Sequence, residues 1–494
     1  MSYKEASASF AHLMRRRINR TLNTRLHRRI AIGVVVVIVF ATTSAIADFY
    51  LPNLFPFLNS TGVSATYSNT GRINLSGAFF QSLGTNGRSC GTCHQPSDGF
   101  GLTPGNAQLR YLLTHGKDPL FAQVDAGTCP TGPLDNSLVL KSGLIRVGLT
   151  LPTANLQYTI TAVEDPYGCA ITTDSQQQQT ISIYRRPLPS TNLRFLSTVM
   201  FDGRESMNFP LNNPQTYAAN LNTDLTQQAI DATLGHAQGT QPPTAAQLQD
   251  IVSFEMSLNS AQLADLRAGD LSRGANGGPK FLSTQEYYPG INDSLGGDPE
   301  GAAFTPTAFT IFASYHNSRN QQQASIARGE QIFNTQPLNI SNVPGLVTGS
   351  ESIMGTCTTC HDSFNVGNHS LPLPLDIGTS HSSDYETDSN ISAALQQLQS
   401  PPRLPVFQLV CAQGPLAGNT YYTSDPGKAL ITGQCADIGR GKGPILRSLA
   451  SRAPYFHNGV AANLQQLVNF YDQRFKIGLS DQQKQDLVNF LQSL

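Results

Sequence analysis

Residues 87–95 read GRSCGTCHQ, and residues 356–362 read TCTTCHD. Each stretch carries two cysteines three positions apart, followed at once by a histidine, which is the pattern C-x-x-C-H. The same short pattern at two distant places suggests two related modules in one chain. The residues of the two motifs are Cys90, Cys93, His94, Cys357, Cys360 and His361.

Three kinds of site use closely spaced cysteines, and the motifs favour one of them. A redox C-x-x-C usually follows a strand in a βαβ unit, whereas the first motif follows GAFFQSLGTNG. A zinc site needs four ligands, and each motif offers three at most. Covalent haem attachment uses all three residues, because the cysteines form thioethers and the histidine binds the iron. The sequence therefore predicts two covalently bound haem c groups, with His94 and His361 as proximal iron ligands.

The N-terminus has the features of an export signal. A cluster of arginines precedes the uncharged apolar run IAIGVVVVIVFA at residues 30–41. Small residues at Ala45 and Ala47 then match a signal-peptidase site. A helix of this run spans ~18 Å, less than the ~30 Å hydrocarbon core, so cleavage is favoured over a permanent anchor. We predict that residues 1–47 are a signal peptide or N-terminal anchor and that the remainder lies in the periplasm.

The composition limits the class of protein and of partner. The 494 residues suit two or three domains. Charged residues make up 13% of the chain, and the formal net charge is -1. That balance gives no electrostatic basis for binding nucleic acid.

Four of the eight cysteines lie outside the motifs. Cys129 and Cys169 are in the first half of the chain, and Cys411 and Cys435 are in the second. Disulfide bonds are expected in an exported protein. Pairing each cysteine within its own half is the natural division, although the sequence alone does not fix it.

We predict a mostly α fold with two cytochrome c-like haem domains carrying loop-rich and short β insertions. The lead-in SGAFFQSLGTNG before the first motif resembles ARGEQIFNTQ upstream of the second. The N-terminal haem domain would span residues 48–315, with an insertion at about 105–185, and the C-terminal haem domain residues 316–494. Inside the first insertion, the runs LIRVGLTL and LQYTITAV alternate in polarity and indicate short strands.

Two helix signals lie near the C-terminus. Asn463 is a suitable N-cap residue, and an apolar stripe at helical spacing runs from Leu464 to Tyr471. From this periodicity alone, Tyr471 is predicted to be a core residue. Ser480 with Gln483 three residues later has the pattern of a capping box.

Two further stretches make a family resemblance specific. Residues 185–205 read RRPLPSTNLRFLSTVMFDGRE, and residues 446–459 read LRSLASRAPYFHNG. Together with the two C-x-x-C-H motifs, they resemble the bacterial di-haem cytochrome c peroxidase family, which includes the MauG-type enzymes. The resemblance implies that the N-terminal haem meets hydrogen peroxide and that the C-terminal haem relays electrons.

The resemblance also implies a second ligand for the C-terminal iron. In the family this ligand lies fourteen residues after the histidine of a P-Y-F-H motif, and it is Met in the peroxidases and Tyr in the MauG type. Counting from His457 leads to Tyr471, which also lies on the apolar helix face. A phenolate oxygen should favour ferric iron and lower the reduction potential relative to Met.

The acid–base group of the family follows a Q-A pair, which is Gln228-Ala229 here. Ungapped counting places that group at Gln238, which cannot shuttle a proton, whereas His236 two residues earlier can. We predict a catalytic set of His236, Gln228 and Gln238, in which His236 is the acid–base group or a ligand of the first iron. Two alternatives stay open: His236 is a structural histidine at a helix end, or cleavage of the O–O bond is not the chemistry of this protein. His115 is a rival for the distal side of the first haem.

Other positions depart from the family pattern. The Trp between the haems, in W-D-G-R, is Phe201 here, and Phe is much harder to oxidise. Asp202 and Arg204 of the same stretch equally suit an ion pair at a turn. The Asn ligand of the family's calcium falls on Arg186, which makes calcium doubtful because cation sites rarely use Arg.

These features predict a periplasmic di-haem c oxidoreductase of the cytochrome c peroxidase/MauG type. Its partners would be hydrogen peroxide or oxygen and a small redox protein or other electron donor. It would bind no nucleic acid and would contact a membrane only through an uncleaved anchor. Two alternatives stay open: an electron-transfer di-haem cytochrome without an open site, and an oxygen-using di-haem oxygenase.

Overall fold

The computed structural model describes residues 49–494, so the predicted export segment, residues 1–47, lies outside the described part. The described chain is 31% helical and 18% strand. The prediction of a mostly α fold therefore needs correction. Two of the five sheets of the described chain, formed within residues 145–185 and by residues 158–164 with 406–423, lie in the insertions. The other three lie in parts of the haem domains where no strands were expected.

Between residues 49 and 494, 12 α-helices occur. None of these helices combines the length and the apolar character that crossing a bilayer requires. In chain order they are α1 (Cys90–Cys93), α2 (Pro104–Thr114), α3 (Gln123–Ala126), α4 (Ser137–Ser142), α5 (Tyr217–Gly235), α6 (Ala245–Ser257), α7 (Pro279–Leu282), α8 (Gln321–Thr335), α9 (Ser389–Leu395), α10 (Ala429–Thr432), α11 (Leu464–Arg474) and α12 (Asp481–Gln492).

The strands pair in antiparallel sheets of two to four strands. Their orders are β1-β4, β10-β9-β3-β2, β11-β12, β14-β13-β6 and β5-β8-β7. In chain order the strands are β1 (Tyr50–Pro52), β2 (Phe57–Leu58), β3 (Gly62–Ser68), β4 (Arg72–Asn74), β5 (Ile145–Thr150), β6 (Tyr158–Glu164), β7 (Ile171–Thr173), β8 (Gln179–Arg185), β9 (Leu258–Asp265), β10 (Gly269–Asp270), β11 (Leu338–Val343), β12 (Val347–Gly355), β13 (Val406–Cys411) and β14 (Thr420–Thr423).

The predicted strands of the first insertion are present as β5 and β6. Strand β6 does not pair within its own half of the chain but with β13, where Tyr158 stands opposite Cys411. The predicted disulfide pairing is also confirmed, since Cys129 bonds Cys169 and Cys411 bonds Cys435. The second of these bonds joins Cys411, the last residue of β13, to the turn that begins at Cys435.

The C-terminal core is built on the contact between α8 and α12. Gly329 lies so close to α12 that a Cβ atom there would be 2.0 Å from the Asp486 carbonyl oxygen. Close backbone approach of this kind requires Gly. One turn further along α8, the ring of Phe333 lies 5.8 Å from the ring of His361. This helix pair therefore positions the second motif.

Both predicted helix caps are present. The side chain of Asn463 accepts the backbone N–H of Gln466 at 3.0 Å, and α11 begins at the next residue after the cap. Ser480 and Gln483 form a reciprocal capping box at the start of α12. Such caps satisfy the N–H groups that the first helical turn leaves unpaired.

Candidate functional site

The first motif forms a single helical turn that ends at its histidine. Ser89 and Thr92 cap this turn reciprocally. The Nδ1–H of His94 donates to the Phe100 carbonyl oxygen at 3.1 Å, which leaves Nε2 as the nitrogen able to bind a metal. Metal-binding histidines commonly donate their other N–H in this way, because the bond fixes the ring orientation.

The second motif repeats this geometry in the other half of the chain. Thr356 and Thr359 form the same reciprocal cap, and the Nδ1–H of His361 donates to the Gly367 carbonyl oxygen at 2.6 Å. Burial lowers the pKa of both motif histidines to about 4. Both rings are therefore neutral near pH 7, which is the form that binds a metal.

The motif thiols do not have the properties of a redox pair. None of the four is joined in a disulfide. Burial raises the pKa of the Cys90, Cys357 and Cys360 thiols to about 12. A redox dithiol needs a lowered thiol pKa. Two thiols beside an oriented neutral imidazole instead suit covalent haem attachment.

Each motif opens into a large cavity. The first cavity, lined by Cys90, Cys93 and His94, has an empty volume of about 1460 Å³, and the second, lined by Cys357, Cys360 and His361, about 2230 Å³. Both volumes include space that is open to solvent, so each motif faces a wide cleft. The space and the donor set at each motif therefore fit a macrocycle.

The first cavity contains a histidine paired with a carboxylate. His236 ends α5 as its C-cap, and its Nδ1 lies 3.0 Å from Asp125 Oδ2. Arg88 forms an ion pair with the same carboxylate. The His236 side chain is 41% exposed. A carboxylate that holds one imidazole nitrogen leaves the other free for proton transfer, as in many acid–base sites.

The structure separates the other residues predicted for this site. Gln228, on α5, lines the first cavity with His236. Gln238 is exposed and lies outside the cavity lining, with a left-handed φ of 53°. Because α5 ends at Gly235, the chain turns away before Gln238 is reached. His115 is likewise exposed, as the C-cap of α2, and lies outside the lining.

Sequence reasoning missed a buried acid in the first cavity. Glu255, on α6, lines the cavity and is 4% exposed. Its Oε2 has no hydrogen-bond partner among the described residues, and burial raises its pKa to about 8. The signal was its spacing, because Glu255 follows the buried Ile251 and Val252 by four and three residues. An acid on the apolar face of a helix is unusual.

The second cavity surrounds Tyr471 with aromatic rings. Phe456, Phe470 and Phe475 have ring centroids 6.1, 5.8 and 6.0 Å from that of Tyr471. Burial and the neighbouring motif thiols raise the pKa of the Tyr471 hydroxyl. The structure thus brings Tyr471 into the same cavity as His361. Its role as an iron ligand stays a prediction.

A stacked aromatic pair lies between the two cavities. Phe201 and His457 line both of them. Their ring centroids are 4.1 Å apart and their planes differ by 13°. His457 Nε2 lies 3.4 Å from Asp425 Oδ2, and Arg185 joins Asp425 to Asp202. This buried charge network fixes the pair in place.

The stretch around Phe201 also contains the ion pair expected as an alternative. Arg204 NH1 lies 2.8 Å from Asp202 Oδ2. Asp202 is 1% exposed, and the neighbouring guanidinium groups hold its pKa below the ordinary value despite its burial. Asp202 therefore anchors the turn that presents Phe201.

Arg186 joins the two halves through backbone carbonyls. Its guanidinium donates to Ser142 O at 3.0 Å, Leu102 O at 2.7 Å and Arg452 O at 3.1 Å. These carbonyl oxygens are already bonded to a positive group. A metal cation here would meet electrostatic repulsion.

Comparison with curated proteins finds cytochrome-c peroxidases, while no family model matches the chain. The chain is 37% identical to cytochrome-c peroxidase IdrP1 of Pseudomonas sp. (strain SCT) over 81 residues, 14% of this chain and 21% of that protein. It is 29% identical to cytochrome-c peroxidase IdrP2 of Denitromonas iodatirespirans over 147 residues, 28% of this chain and 36% of that protein. The chain thus matches well under half the length of either relative.

Among solved structures, the chain matches a MauG-like protein associated with microbial copper homeostasis. The TM-score is 0.27 with 15% sequence identity, covering 66% of this chain and 79% of that chain. The two sequence matches fall on proteins of the kind that the motifs predict. This chain resembles the bacterial di-haem cytochrome c peroxidase and MauG family.

Proposed function

We propose that the chain is a periplasmic di-haem c oxidoreductase of the cytochrome c peroxidase/MauG type. It reduces hydrogen peroxide in the first cavity, with electrons relayed through the second. One observation carries the proposal: two cavities share the same Cys–Cys–His arrangement, but they differ in the groups facing it. The first offers a histidine held by a carboxylate, and the second offers a half-buried tyrosine among aromatic rings.

Each half of the chain holds one haem c in this proposal. Residues 48–315 form the first haem domain and residues 316–494 the second. Each motif supplies two thioether sulfurs and a neutral imidazole nitrogen, and Tyr471 supplies an oxygen to the second iron. When bound, haem iron supplies the redox chemistry that cleaves the peroxide bond.

His236 moves the proton in the first cavity. Asp125 accepts its Nδ1–H and so keeps the lone pair on Nε2. Nε2 would take a proton from one peroxide oxygen and return it to the other, so that the O–O bond breaks and the second oxygen leaves as water. Two electrons from the donor and two protons from solvent would then convert the first oxygen to a second water. Gln228 on the same helix orients peroxide through its side-chain amide. General acid–base groups of this kind contribute ~10²–10⁴-fold to a rate.

Tyr471 would lower the reduction potential of the second haem. Its phenolate would be a hard anionic donor that stabilises ferric or higher iron. The surrounding rings hold the side chain against movement. The electrons come from a small redox protein or from a substrate residue at the surface.

Electrons cross between the cavities at the Phe201–His457 contact. The two rings are in van der Waals contact and line both cavities. Phe is hard to oxidise, so no oxidised residue forms at this position. The pair provides a fixed, packed path between the two sites.

The deciding experiment is low-temperature EPR of the purified ferric protein before and after hydrogen peroxide is added, together with peroxide consumption. We expect a high-spin signal that peroxide removes and a low-spin signal from the second haem. Two low-spin signals that ignore peroxide, also after half-reduction, would identify an electron carrier. Oxygen uptake without peroxide turnover would identify an oxygenase.

A further inference from the structure

A buried polar cluster lies beside the second motif, and one of its members, His369, also lines the second cavity. It consists of Asp293, Asp362 and His369, which are 1%, 0% and 2% exposed. One possible ligand atom from each residue lies within 4.8 Å of the others. The cluster joins the segment before α8 to the loop that follows His361.

Each carboxylate has one oxygen bound to backbone and one without a partner. Asp293 Oδ2 accepts the N–H of Gly297 at 2.6 Å, and Asp362 Oδ1 accepts the N–H of Ser370 at 2.7 Å. Asp293 Oδ1 and Asp362 Oδ2 have no hydrogen-bond partner in the described chain. A buried oxygen left without a partner is destabilising, because it has lost its hydrogen bonds to water without replacement.

The histidine faces these oxygens with a lone pair. The backbone N–H of Leu371 donates to His369 Nδ1 at 3.3 Å, so Nδ1 carries no proton. The same nitrogen lies 3.6 Å from Asp362 Oδ2. Two buried acceptor atoms therefore approach each other with no donor between them, which requires a cation or a shared proton.

No positively charged side chain fills the space between the two carboxyl groups. Within residues 49–494, neither Asp293 nor Asp362 forms an ion pair with Lys or Arg, and the histidine within ion-pair distance of Asp362 is His369. A divalent cation would bind the two unpartnered oxygens at once.

We propose that Asp293, Asp362 and His369 bind one divalent first-row transition-metal ion of the Mn²⁺-to-Zn²⁺ class. The mixed donor set favours this class, because imidazole nitrogen suits Zn²⁺ and its neighbours. Ca²⁺ and Mg²⁺ prefer sites made entirely of oxygen. The ion ties the segment around Asp293 to the loop that contains Gly367, and it does so whether or not the chain is a peroxidase.

The test counts metals in the purified full-length holoprotein by inductively coupled plasma mass spectrometry. Iron is counted separately, so the result does not depend on the haem assignment. We expect about one equivalent of Mn or Zn per chain. Dialysis against EDTA should remove it and lower Tm, and Zn²⁺ or Mn²⁺ should restore Tm while Ca²⁺ should not.

Variants locate the ion. Asp293→Asn and His369→Gln should each lose the bound Mn or Zn. His381→Gln should keep it, because His381 is also a largely buried histidine between carboxylates but is fully partnered by Asp376 and Glu386. Wild-type protein with no extra metal and no uptake of Zn²⁺ or Mn²⁺ would overturn the proposal, even if the variants fail to fold. Uptake of Ca²⁺ alone would overturn the assigned metal class.

Discussion

The two cavities begin from the same three residues and differ in how the opposite side is built. In the first, His236 ends α5, is 41% exposed, and is held through one carboxylate. In the second, Tyr471 lies inside α11 among three phenylalanines. A group at a helix end can reorient, whereas a group on a packed helix face cannot.

The comparison indicates that the C-x-x-C-H motif determines where a haem would be attached. The residues on the other side of each cavity determine which reaction that haem could support. A histidine that can exchange protons and move suits a site that must admit a reactant. A tyrosine packed among aromatic rings would suit a site whose iron keeps two protein ligands throughout. The predictions below test this division of roles.

Removing one pair of motif cysteines should have the largest effect. The double variants Cys90→Ala/Cys93→Ala and Cys357→Ala/Cys360→Ala should each retain one of two covalent haems, measured by intact mass and haem staining. Peroxide turnover should fall to background in the first variant. The two variants serve as controls for each other, and unchanged haem content in both would refute the two-haem assignment.

His236→Gln should lower kcat/KM for hydrogen peroxide by ~10²–10⁴-fold, because the cavity loses its proton carrier. Steady-state peroxide consumption measures this effect. His115→Gln is the matched control, since His115 is exposed and outside the cavity lining. Full activity in His236→Gln would remove His236 from the mechanism.

Tyr471→Phe should change the ferric absorption and EPR spectra of one haem and leave the other as it is. The reduction potential of that haem should rise, because an anionic oxygen donor is lost. Tyr455→Phe is the control, since Tyr455 lines the same cavity but donates its hydroxyl to Leu449 O at 3.0 Å. An unaltered spectrum in Tyr471→Phe would show that Tyr471 is a core residue and not an iron ligand.

His381→Gln tests how much a charged cluster near the second cavity contributes to the free energy of unfolding. His381 bonds Asp376 at 2.8 Å and also contacts Glu386. Burial alone would lower its pKa, but the two carboxylates outweigh burial and raise it to about 10. The variant should lose about 1–3 kcal/mol of unfolding free energy near neutral pH.

The sign of the pH dependence follows from the raised pKa. Protonated His381 contributes its full stabilisation below pH ~6.5, which is the pKa of His in an unfolded chain. It is lost as the pH rises through about 10. The Tm difference between wild type and His381→Gln should therefore shrink from pH 6 to pH 10. His316→Gln, at an exposed position, should show no such trend.

Local signals in the sequence predicted local structure well. The caps at Asn463 and Ser480 depend on residues within one helical turn, and both are present. The strands β5 and β6 followed from alternation over a few residues. The disulfide partners followed from compartment and position in the chain.

Features assembled from distant segments were not predictable in the same way. Ungapped counting led to Gln238, but the end of α5 at Gly235 puts that residue on the surface. His369 lies in a polar stretch of sequence, yet it is buried because Asp293, far away in the chain, packs against it. Glu255 could have been predicted from its spacing, which places it on the same helix face as the buried Ile251 and Val252. A search for sequence motifs alone does not detect such a position.

The pairing of β6 with β13 has a consequence for how the chain matures. Any chain delivered N-terminus first presents β6 long before β13 arrives, so the sheet forms late and its contacts span a large sequence separation. Until then β6 has an unpaired edge that other chains can join. Successful production of this protein should therefore depend on rapid completion of the chain or on a chaperone that covers β6 until β13 arrives.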